Sequence, residues 1–547
     1  HWSDRADRPL VPPDGVATLR AVRGDSTLLT GPNGVAGSLE LRPGGAGPRT
    51  RLSFQAAQGS DFGLRAAHRS DRDDWNWLAA ASLRDRDHSV LPEGIDTPFN
   101  QSDPDARTNT DLRQASALLR GVRHFDDGGR LSVLMLASDA ERGVAPETHV
   151  ADARFWRLPM VRRGLAGLRL ERPMGERWEL DFALAVDAGA QDIQAYADAA
   201  YVSCDGDPGE GRDLTGHARL QVGRQLRGLS RVDLLAQARL TRHRERLEAN
   251  GPQLDYSQRL ASVAAEWSIV PDAPWTLRLG LGIDASATPS TGDKPARDGD
   301  TAPALLARYT HDVGLSGQAH MAVSQRSRFP ALRESFSGAL GRFVANPDLS
   351  PERQTLAEAG YAARGAGWEA GVTVFAARLD DGIEKTSLGD GRFMRVNRGR
   401  IMTGGLELVA SRRLGRGLSV GLHHSLLDAR VDDGVGTDER PAEDRPSHQG
   451  SLLGEWRSPQ GWHVSMVGKW VGERSSADSS DAVDGLAALK AATWWDVWVG
   501  RSFDRGTDAS LELRVGVRNV ADAAVWEQVG LIGAGRTFVA SVNWTHW

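Results

Sequence analysis

The chain has 547 residues, and 66 Lys and Arg against 72 Asp and Glu give it a formal charge of -6 at pH 7. This balance, with no basic block, gives no electrostatic support to nucleic-acid binding, so we expect no nucleic-acid partner. A mean hydropathy of -0.40 and the lack of an apolar run approaching about 18 residues exclude transmembrane helices. They do not exclude a transmembrane β-barrel, because its strands alternate and average to a hydrophilic value.

The N-terminus and the single cysteine carry little functional information. Residues 1–5 lack the basic start and apolar core of a secretion signal, so we expect any such signal to be removed or to lie upstream. Cys204 lies in a turn-rich stretch, residues 201–209, and one cysteine permits no internal disulfide. We interpret it as an incidental loop thiol rather than as a metal or redox site.

From about residue 49 to the C-terminus, apolar and polar residues alternate with period 2. Clear runs span residues 178–187, 231–240, 275–284, 418–426 and 511–518. These runs have about nine to eleven residues, the length that a tilted strand needs to cross a bilayer. Two apolar faces end in an aromatic residue, Trp178 and Trp275, which suits an interfacial girdle. A soluble β-sandwich also alternates, so the periodicity alone leaves both folds open.

The connections between these runs are of two kinds. Tight turns occur at residues 126–129, 415–417 and 458–461, whereas long polar stretches occupy residues 84–110, 142–160, 284–302, 328–352, 430–446 and 472–488. Short turns on one rim and long loops on the other are typical of outer-membrane barrels, and soluble domains rarely carry so many long loops. We therefore predict an all-β fold, a large antiparallel transmembrane β-barrel.

The spacing of the strands bears on their number. From residue 49 onward there are 499 residues, so a barrel of 22 strands would have about 23 residues for each strand and its connection. Sixteen to eighteen strands would need still longer loops. We expect about 22 strands, although the spacing does not fix the number.

The N-terminal stretch, residues 22–41, resembles the end of the plug domain of TonB-dependent receptors. That family has a pattern like V-x-R-G-P-x-S-x-L-Y-G, followed by G-G-x-I-x-I. Seven positions fall in register: Arg23, Gly24, Leu29, Gly31, Gly37, Leu39 and Leu41. The chain departs from the pattern at Asp25, Thr27, Thr30 and Ala36, where the family has Pro, Ser, Tyr and Gly. A generic glycine-rich turn is the alternative interpretation of this stretch.

Further motifs of the same family follow in order along the chain. Residues 327–336 and 346–352 resemble its R-F-P-x-L-x-E and N-P-x-L-x-P-E pair, and the matching residues are Arg328, Phe329, Pro330, Asn346, Pro347, Leu349 and Glu352. Residues 358–361 and then Asn397 with residues 404–408 resemble its E-x-G-Y and N…G-x-E segments. Near the C-terminus, Asn519 and Asp522 resemble the N-L-x-D element, and Gly535 and Arg536 open a last strand.

The last strand resembles the family's signal for barrel assembly, which Phe538 and the terminal Trp547 would carry. Phe538, Ala540, Val542 and Trp544 are in phase, but Trp547 is one position out of phase. We expect a bulge near Thr545 to restore the phase.

The resemblance implies a plug inside a 22-stranded barrel and a bacterial outer-membrane receptor for active uptake of a scarce nutrient. A ferric siderophore or a similar chelate is the favoured cargo; cobalamin, another cargo or a passive porin-like channel are the alternatives. The implied partners are TonB with its inner-membrane energising complex, outer-membrane lipid, the barrel assembly machinery and a small extracellular ligand. TonB would act only if the missing N-terminus carries a TonB box. No cofactor is implied.

The resemblance also divides the chain. We expect residues 1–44 to be the C-terminal part of a plug domain and residues 45–547 to be the barrel. Residues 1–14 contain no recognisable TonB box, so either the chain lacks its front part or the plug is naturally reduced. We favour a missing front part, because residues 16–44 match the end of the plug continuously.

The sequence shows no catalytic constellation and no metal site, and we expect a receptor rather than an enzyme. His423 and His424 are adjacent on a predicted strand, so they point to opposite faces and cannot chelate one metal ion. Residues 155–157 could contact a ligand or belong to the girdle. The ligand residues are otherwise unknown.

The predicted loop around the R-F-P motif bears on the cargo. Between Phe329 and Asn346 there is no histidine, whereas a haem site needs a soft nitrogen ligand. We therefore expect that the cargo is not haem bound in the common way. Arg333 and Arg342 instead suit an anionic ferric chelate, through charge-assisted hydrogen bonds.

The run at residues 511–518 predicts which side chains face lipid. Leu511, Leu513, Val515 and Val517 share the lipid face, and Glu512, Arg514 and Arg518 share the lumen face. An Arg on the lipid face at mid-bilayer would cost roughly 2–4 kcal/mol.

Overall fold

A computed structural model of the chain describes residues 11–23, 27–35, 37–44, 47–72, 74–337, 343–388, 392–432, 439–478, 485–506 and 508–547. A 3-10 turn spans Pro13–Gly15, and the short helix α1 spans Leu332–Phe336. The strands, in chain order, are β1 (Val16–Arg23), β2 (Gly37–Pro43), β3 (Thr50–Ala57), β4 (Asp61–Asp71), β5 (Trp75–Arg86), β6 (Ser89–Val90), β7 (Ala106–Arg107), β8 (Leu112–His124), β9 (Arg130–Gly143), β10 (Trp156–Met174), β11 (Trp178–Ala195), β12 (Gly209–Gln225), β13 (Arg231–Arg246), β14 (Leu254–Ile269), β15 (Trp275–Thr291), β16 (Asp300–Val313), β17 (Gly317–Arg328), β18 (Phe343–Val344), β19 (Glu352–Gly365), β20 (Trp368–Ser387), β21 (Phe393–Gly415), β22 (Leu418–Asp432), β23 (Arg440–Pro441), β24 (His448–Arg457), β25 (Trp462–Val471), β26 (Arg474–Ala477), β27 (Leu486–Leu489), β28 (Ala492–Arg505), β29 (Ala509–Arg518), β30 (Trp526–Gln528), β31 (Leu531–Ile532) and β32 (Thr537–His546).

Most of these strands form one closed wall. Among the described residues, 22 long strands pair with their neighbours around a barrel, from β3 to β32. The last strand closes the wall by pairing antiparallel with the first, with Thr50 opposite His546. The described part of the chain contains no helix that is long and apolar enough to span a bilayer. The predicted all-β antiparallel barrel of about 22 strands is confirmed.

The two rims of the barrel differ in the length of their connections. On one rim, which we call the turn rim, strands such as β10 and β11 or β19 and β20 are joined by two to five residues. The other rim, the loop rim, carries connections of up to 25 residues. The long loops occupy residues 87–111, 144–155, 196–208, 329–351, 433–447, 472–491 and 519–536. The loops at 196–208, which contains the exposed Cys204, and at 519–536 were not predicted as long loops.

Many strands are longer than the nine to eleven residues that the alternation predicts. Strands β10 to β15 have 16 to 19 residues, and β21 has 23. In β13 the outward residues are apolar from Val232 to Leu240, but Arg242 and Arg244 follow in the same phase. Because both faces are polar beyond Leu240, the contrast that reveals a membrane strand is lost there, and the alternation underestimates the length.

The outward face of β29 is apolar, as the sequence predicts. Leu513 and Val515 are 45% and 59% exposed on the outside of the wall. On the inside, Arg514 donates a hydrogen bond to the Ser465 hydroxyl over 3.0 Å, and Arg518 lies over the Trp498 ring. The pleat therefore separates the two sets of residues as expected.

Aromatic side chains gather on the outside of the wall close to the turn rim. Their exposed rings suit the interface between membrane and water. They are Trp75, Trp178, Trp267, Tyr309, Tyr361, Trp368, Trp456, Trp462 and Phe503.

The end of the chain differs from the prediction. The pairing of β32 with β29 and with β3 runs without a shift through Thr545 and His546. The expected bulge near Thr545 is therefore wrong. Trp547 lies one residue beyond the strand, where its amide donates to the Asp508 carbonyl over 2.8 Å. Trp547 pairs with no residue of β3 or β29, so the in–out alternation of the strand does not extend to it.

Candidate functional site

The described residues before the wall form the N-terminal segment, residues 11–44, which lies against the inner face of the barrel at two places. At the first, the Asp14 carboxylate lies 3.3 Å from Arg51 and 3.6 Å from Arg65, and both arginines are partly exposed. Gly15 packs against the wall so closely that a Cβ atom there would lie 3.2 Å from Ala80 and from Leu118. We call this contact the Asp14 anchor.

The second contact, the Leu28 anchor, is buried. Leu28 is 1% exposed and packs on Leu235 and Leu306, together with two alanines of the wall. The Glu266 carboxylate accepts hydrogen bonds from the Thr27 hydroxyl over 2.6 Å and from the Leu28 amide. An apolar side chain and a carboxylate acceptor thus hold the same turn.

Arg326 completes the Leu28 anchor from β17. Its guanidinium is 1% exposed and donates to the Thr27 carbonyl over 3.1 Å and to the Gly31 carbonyl. Asn33 accepts a hydrogen bond from the Phe329 amide over 3.0 Å. Gly31 has a φ of 84°, which favours glycine, and a Cβ atom there would overlap the Gln237 side chain.

The residues of the N-terminal motif are spread along this segment. Leu29 packs partly buried beside the Leu28 cluster, and Gly37 pairs with Arg23 in the hairpin of β1 and β2. Gly24 lies outside the described residues, and so does Arg342 of the loop motif. Glu266 and Arg326 were not predicted from the sequence. For Glu266, an inward charged residue in the largely apolar run 263–269 was the available signal, whereas Arg326 lies in a polar run that gave none.

A cavity of about 1060 Å³ lies next to the Leu28 anchor and shares the strands β16 and β17 with it. The strand β1 contributes Arg20 and Val22 to it, and the inner faces of β16 to β24 supply most of the rest. It extends from residues 442–446 of the loop rim to Glu407 and Thr373 within the barrel. This cavity is the candidate functional site.

Charged side chains of both signs line the cavity. The basic ones are Arg20, Arg308, Lys385, Arg395 and Arg445, and the acidic ones are Glu352, Glu358, Glu384, Glu407, Glu443 and Asp444. Several are paired within the wall: Glu358 lies 2.9 Å from Arg308 and 3.6 Å from His320. Glu384 pairs with Arg440 over 2.5 Å. The lining therefore offers both hydrogen-bond donors and acceptors to a polar ligand.

Glu443 is a carboxyl group of the cavity lining whose pKa is shifted by its surroundings. It lies in the loop between β23 and β24, outside the wall. Burial raises the pKa of Glu443, and the nearby Glu384 carboxylate raises that pKa further. The neutral form of Glu443 is thus favoured at higher pH than for a free glutamate.

The R-F-P motif fixes the loop at residues 329–351. Arg328 pairs with Glu334 over 2.8 Å and also with Glu352. Phe329 and Leu349 are fully buried, and Pro330 accepts a hydrogen bond from Gln258 over 2.8 Å. The motif residues bind one another, so their role in the structure is to shape the loop.

The N-P-x-L motif joins this loop to neighbouring strands. Asn346 donates to the Arg395 carbonyl over 2.8 Å, and the Pro347 carbonyl accepts from Arg297 over 2.9 Å. Asn397 exchanges two hydrogen bonds with the backbone of Ser350, at 2.8 and 3.0 Å. The loop is thereby tied to β21 and to the connection before β16.

The C-terminal motif performs a similar task on another loop. The Asp522 carboxylate accepts from the Arg536 amide over 2.5 Å and from the Glu93 amide over 2.8 Å. Asn519 donates to two carbonyls of its own loop. A Cβ atom at Gly535 would lie 2.5 Å from the Leu91 carbonyl oxygen, so glycine permits the loop at residues 87–111 to approach.

The remaining candidates lie away from the cavity. Phe155 is buried in its loop, in edge contact with Tyr201. His424 faces outward, where it accepts a hydrogen bond from Trp470 over 3.2 Å, and His423 is on the opposite face of the same strand. Among the described residues no group of three or more His, Cys, Asp and Glu is placed to hold a metal ion.

Several solved structures have a similar fold. The copper transporter OprC has a TM-score of 0.82 and 15% sequence identity, over 97% of this chain and 86% of that chain. The FrpB iron transporter from Neisseria meningitidis (F5-1 variant) has a TM-score of 0.80 and 15% identity, over 99% and 90%. The siderophore receptor PiuA from Acinetobacter baumannii has a TM-score of 0.73 and 12% identity, over 97% and 86%. At these identities the likeness shows the fold alone.

No curated protein sequence matches the chain. Residues 12–520, however, match the family described as TonB dependent receptor-like, beta-barrel. This match covers nearly the whole wall and the N-terminal segment from the first anchor onward. The chain therefore belongs to the TonB-dependent receptors, which are barrels of the outer membrane.

Proposed function

We propose that this receptor takes up a ferric siderophore or a similar anionic iron chelate through the cavity beside β1. The observation that carries the proposal is the size and lining of that cavity. Its volume of about 1060 Å³ lies at the upper end of the roughly 300–1,000 Å³ that small-molecule sites occupy. A chelate of several ligand arms needs a site of this size.

Two arginines within the mixed-charge lining of the cavity favour an anionic chelate. Arg20 on β1 and Arg445 on the loop border the same space. Guanidinium groups bind carboxylate and catecholate oxygens through charge-assisted hydrogen bonds. Since Arg20 belongs to the N-terminal segment, a bound ligand would contact the wall and the segment together.

The position of the N-terminal segment favours the presence of a plug domain. We propose that residues 1–44 are the closing part of a plug and that residues 45–547 are the barrel. Both anchors lie inside the lumen, as a plug requires. Membership of an energy-dependent family favours active uptake through TonB over a passive porin-like channel.

The C-terminal aromatic residues are proposed as the assembly signal. Phe538 and Trp547 are 55% and 60% exposed, so neither fills a core. Deleting Trp547 should reduce the amount of receptor in the outer membrane more than it reduces ligand binding by the molecules that assemble. Unchanged surface levels of the truncated protein would count against this role.

Binding and uptake measurements test the cargo. Purified receptor is titrated with a ferric catecholate, a ferric hydroxamate, cobalamin, Cu²⁺ and hemin, with tryptophan fluorescence as the signal. We expect one ferric siderophore class to bind, and ⁵⁵Fe from it to enter cells with TonB but not cells without it. Arg445→Gln should weaken binding at least fivefold, whereas Arg224→Gln, on the outside of the wall, should not.

The same titration can also contradict the proposed cargo. A stoichiometric Soret shift of the histidine-ligated type with hemin would contradict the expectation that the cargo is not haem. Binding of cobalamin or Cu²⁺ alone would contradict the siderophore proposal, while leaving the receptor assignment intact.

A further inference from the structure

The outside of the wall changes character at one level on strands β12 to β14. On β13 the outward residues are Val232, Leu234, Ala236, Ala238 and Leu240, and the next in phase are Arg242, Arg244 and Arg246. On β14 the outward residues Trp267, Val263 and Ala261 lead to Arg259. The apolar band that contacts lipid therefore ends in arginine toward the loop rim.

The strand register places these arginines side by side. Leu240 on β13 lies opposite Arg259 on β14, and Arg242 lies opposite Ser257. Arg242 and Arg259 are thus diagonal neighbours on the same outward face. Long side chains in such positions can approach each other. Leu214 on β12 lies opposite Arg242. The two arginines, Arg242 and Arg259, therefore lie directly at the edge of the apolar band.

The arginines of this region differ in their partners. Arg212 lies 2.7 Å from Asp192, and Arg244 lies 2.9 Å from Asp255. Arg242 and Arg259 are both exposed, and among the described residues neither forms an ion pair or a side-chain hydrogen bond. Two guanidinium groups without a protein acid therefore point outward at the edge of the band.

The outward residues near the turn rim are arranged differently. There the edge of the band is marked by aromatic rings such as Trp178 and Trp267. The outward Arg224 of β12 lies over the Trp178 ring, 4.9 Å from its centroid. Arg224 thus contacts an aromatic ring, whereas Arg242 and Arg259 lie toward the loop rim, which faces the outside in barrels of this kind.

We propose that Arg242 and Arg259 form a binding site for the phosphate of a lipid headgroup in the outer leaflet. The pair is continuous with the lipid-facing surface, which fixes the source of the phosphate as a lipid rather than a soluble anion. Planar guanidinium groups bind phosphate oxygens in a bidentate manner, and basic residues at the membrane surface attract anionic headgroups. A phosphorylated glycolipid would be held against β13 and β14. This site is independent of the cargo in the lumen.

Native mass spectrometry of the full chain tests the site. The receptor is reconstituted with bisphosphorylated lipid A or with dephosphorylated lipid A, and the retained lipid is counted. The wild type should retain the phosphorylated lipid at least tenfold better. The double variant Arg242→Gln/Arg259→Gln should lose this preference, and Arg224→Gln, the outward arginine of the turn rim, should keep it.

Three results would overturn the proposal. Equal retention of the two lipids by the wild type would exclude phosphate recognition, and this result does not depend on any variant folding. An unchanged preference in the double variant, folded as judged by heat-modifiable mobility in gels, would place the site elsewhere. Competition by 10 mM inorganic phosphate, with loss of the lipid, would show a site for a soluble anion.

Discussion

Two neighbouring parts of the lumen differ in what fills them. Along β13 to β17, Leu28 and Arg326 are almost completely buried, and the N-terminal segment contacts the wall directly. Along β19 to β22, the segment and the wall are separated by the charged cavity. The segment is therefore held against one part of the wall, and its strand β1 borders the cavity in the next part. Under the proposed function, transport requires the segment to leave the wall, and the hairpin of β1 and β2 would connect this movement with ligand binding.

The largest effect is expected from removing the buried guanidinium of the held side. Arg326→Ala removes the guanidinium donor from the Thr27 and Gly31 carbonyls. Hydrogen bonds to a charged donor are worth about 1.5–3 kcal/mol each, so the segment should open more easily by about 4 kcal/mol. Hydrogen exchange of residues 27–35 reports this opening, with Arg224→Ala as a control that leaves the exchange unchanged. If residues 27–35 of Arg326→Ala exchanged as slowly as in the wild type, the claim that Arg326 holds the segment would be contradicted.

The next effect comes from the apolar part of the same anchor. Leu28→Ala removes the side chain that packs on Leu235 and Leu306. Truncation of a buried leucine costs about 2–5 kcal/mol, and the low end applies here because the cluster is small. The exchange of residues 27–35 should accelerate, although less than in Arg326→Ala. If Leu28→Ala changed the hydrogen exchange only of residues that line the cavity, the claim that Leu28 holds the segment would be contradicted.

How far the sequence predicts the molecule depends on which force orders each part. The bilayer imposes a contrast on Leu513 and Arg514, so their faces were predicted correctly from local alternation. Beyond the bilayer no such contrast exists, and the upper part of β13, with Arg242 and Arg244, was not recognised as strand. The expected bulge near Thr545 was wrong because Trp547 lies outside the ladder rather than in it.

The site was harder to predict than the fold. Leu28 and Glu266 are separated by 238 positions, and no local pattern connects them. The motif residues Arg328, Glu334 and Glu352 were identified by resemblance, but only the structure shows that they bind one another. The cavity lining comes from strands β16 to β24 and from β1, so it exists only after the barrel closes.

A smaller effect should appear on the cavity side as the pH changes. The pKa of Glu443 is raised by burial and by Glu384, so this carboxyl gains its proton before an ordinary glutamate as the pH falls. The cavity then loses one negative charge, and an anionic chelate should bind a few-fold more tightly below the raised pKa of Glu443 than above it. In Glu443→Gln this part of the pH dependence should disappear. Both proteins are titrated with the same ferric hydroxamate, so that changes in the chelate cancel.

The smallest effect is expected at the Asp14 anchor. The partners of Asp14, Arg51 and Arg65, are 42% and 31% exposed, and exposed ion pairs contribute about 0–1 kcal/mol. Asp14→Asn should change the exchange of residues 11–23 by less than tenfold and leave residues 27–35 unaffected. A change at residues 27–35 as large as that of Arg326→Ala would mean that the two anchors act as one.

The most direct test of the account is to fix the Leu28 anchor in place. Thr27 and Glu266 are close, with 2.6 Å between the Thr27 hydroxyl and the carboxylate. In a Cys204→Ser background, Thr27→Cys and Glu266→Cys are joined by a short thiol cross-linker, and ⁵⁵Fe uptake from the bound siderophore is measured. The account predicts that cross-linked receptor binds the chelate but does not transport it, while the same variant without cross-linker transports. Normal uptake by the fully cross-linked receptor would contradict the claim that the segment must leave the wall.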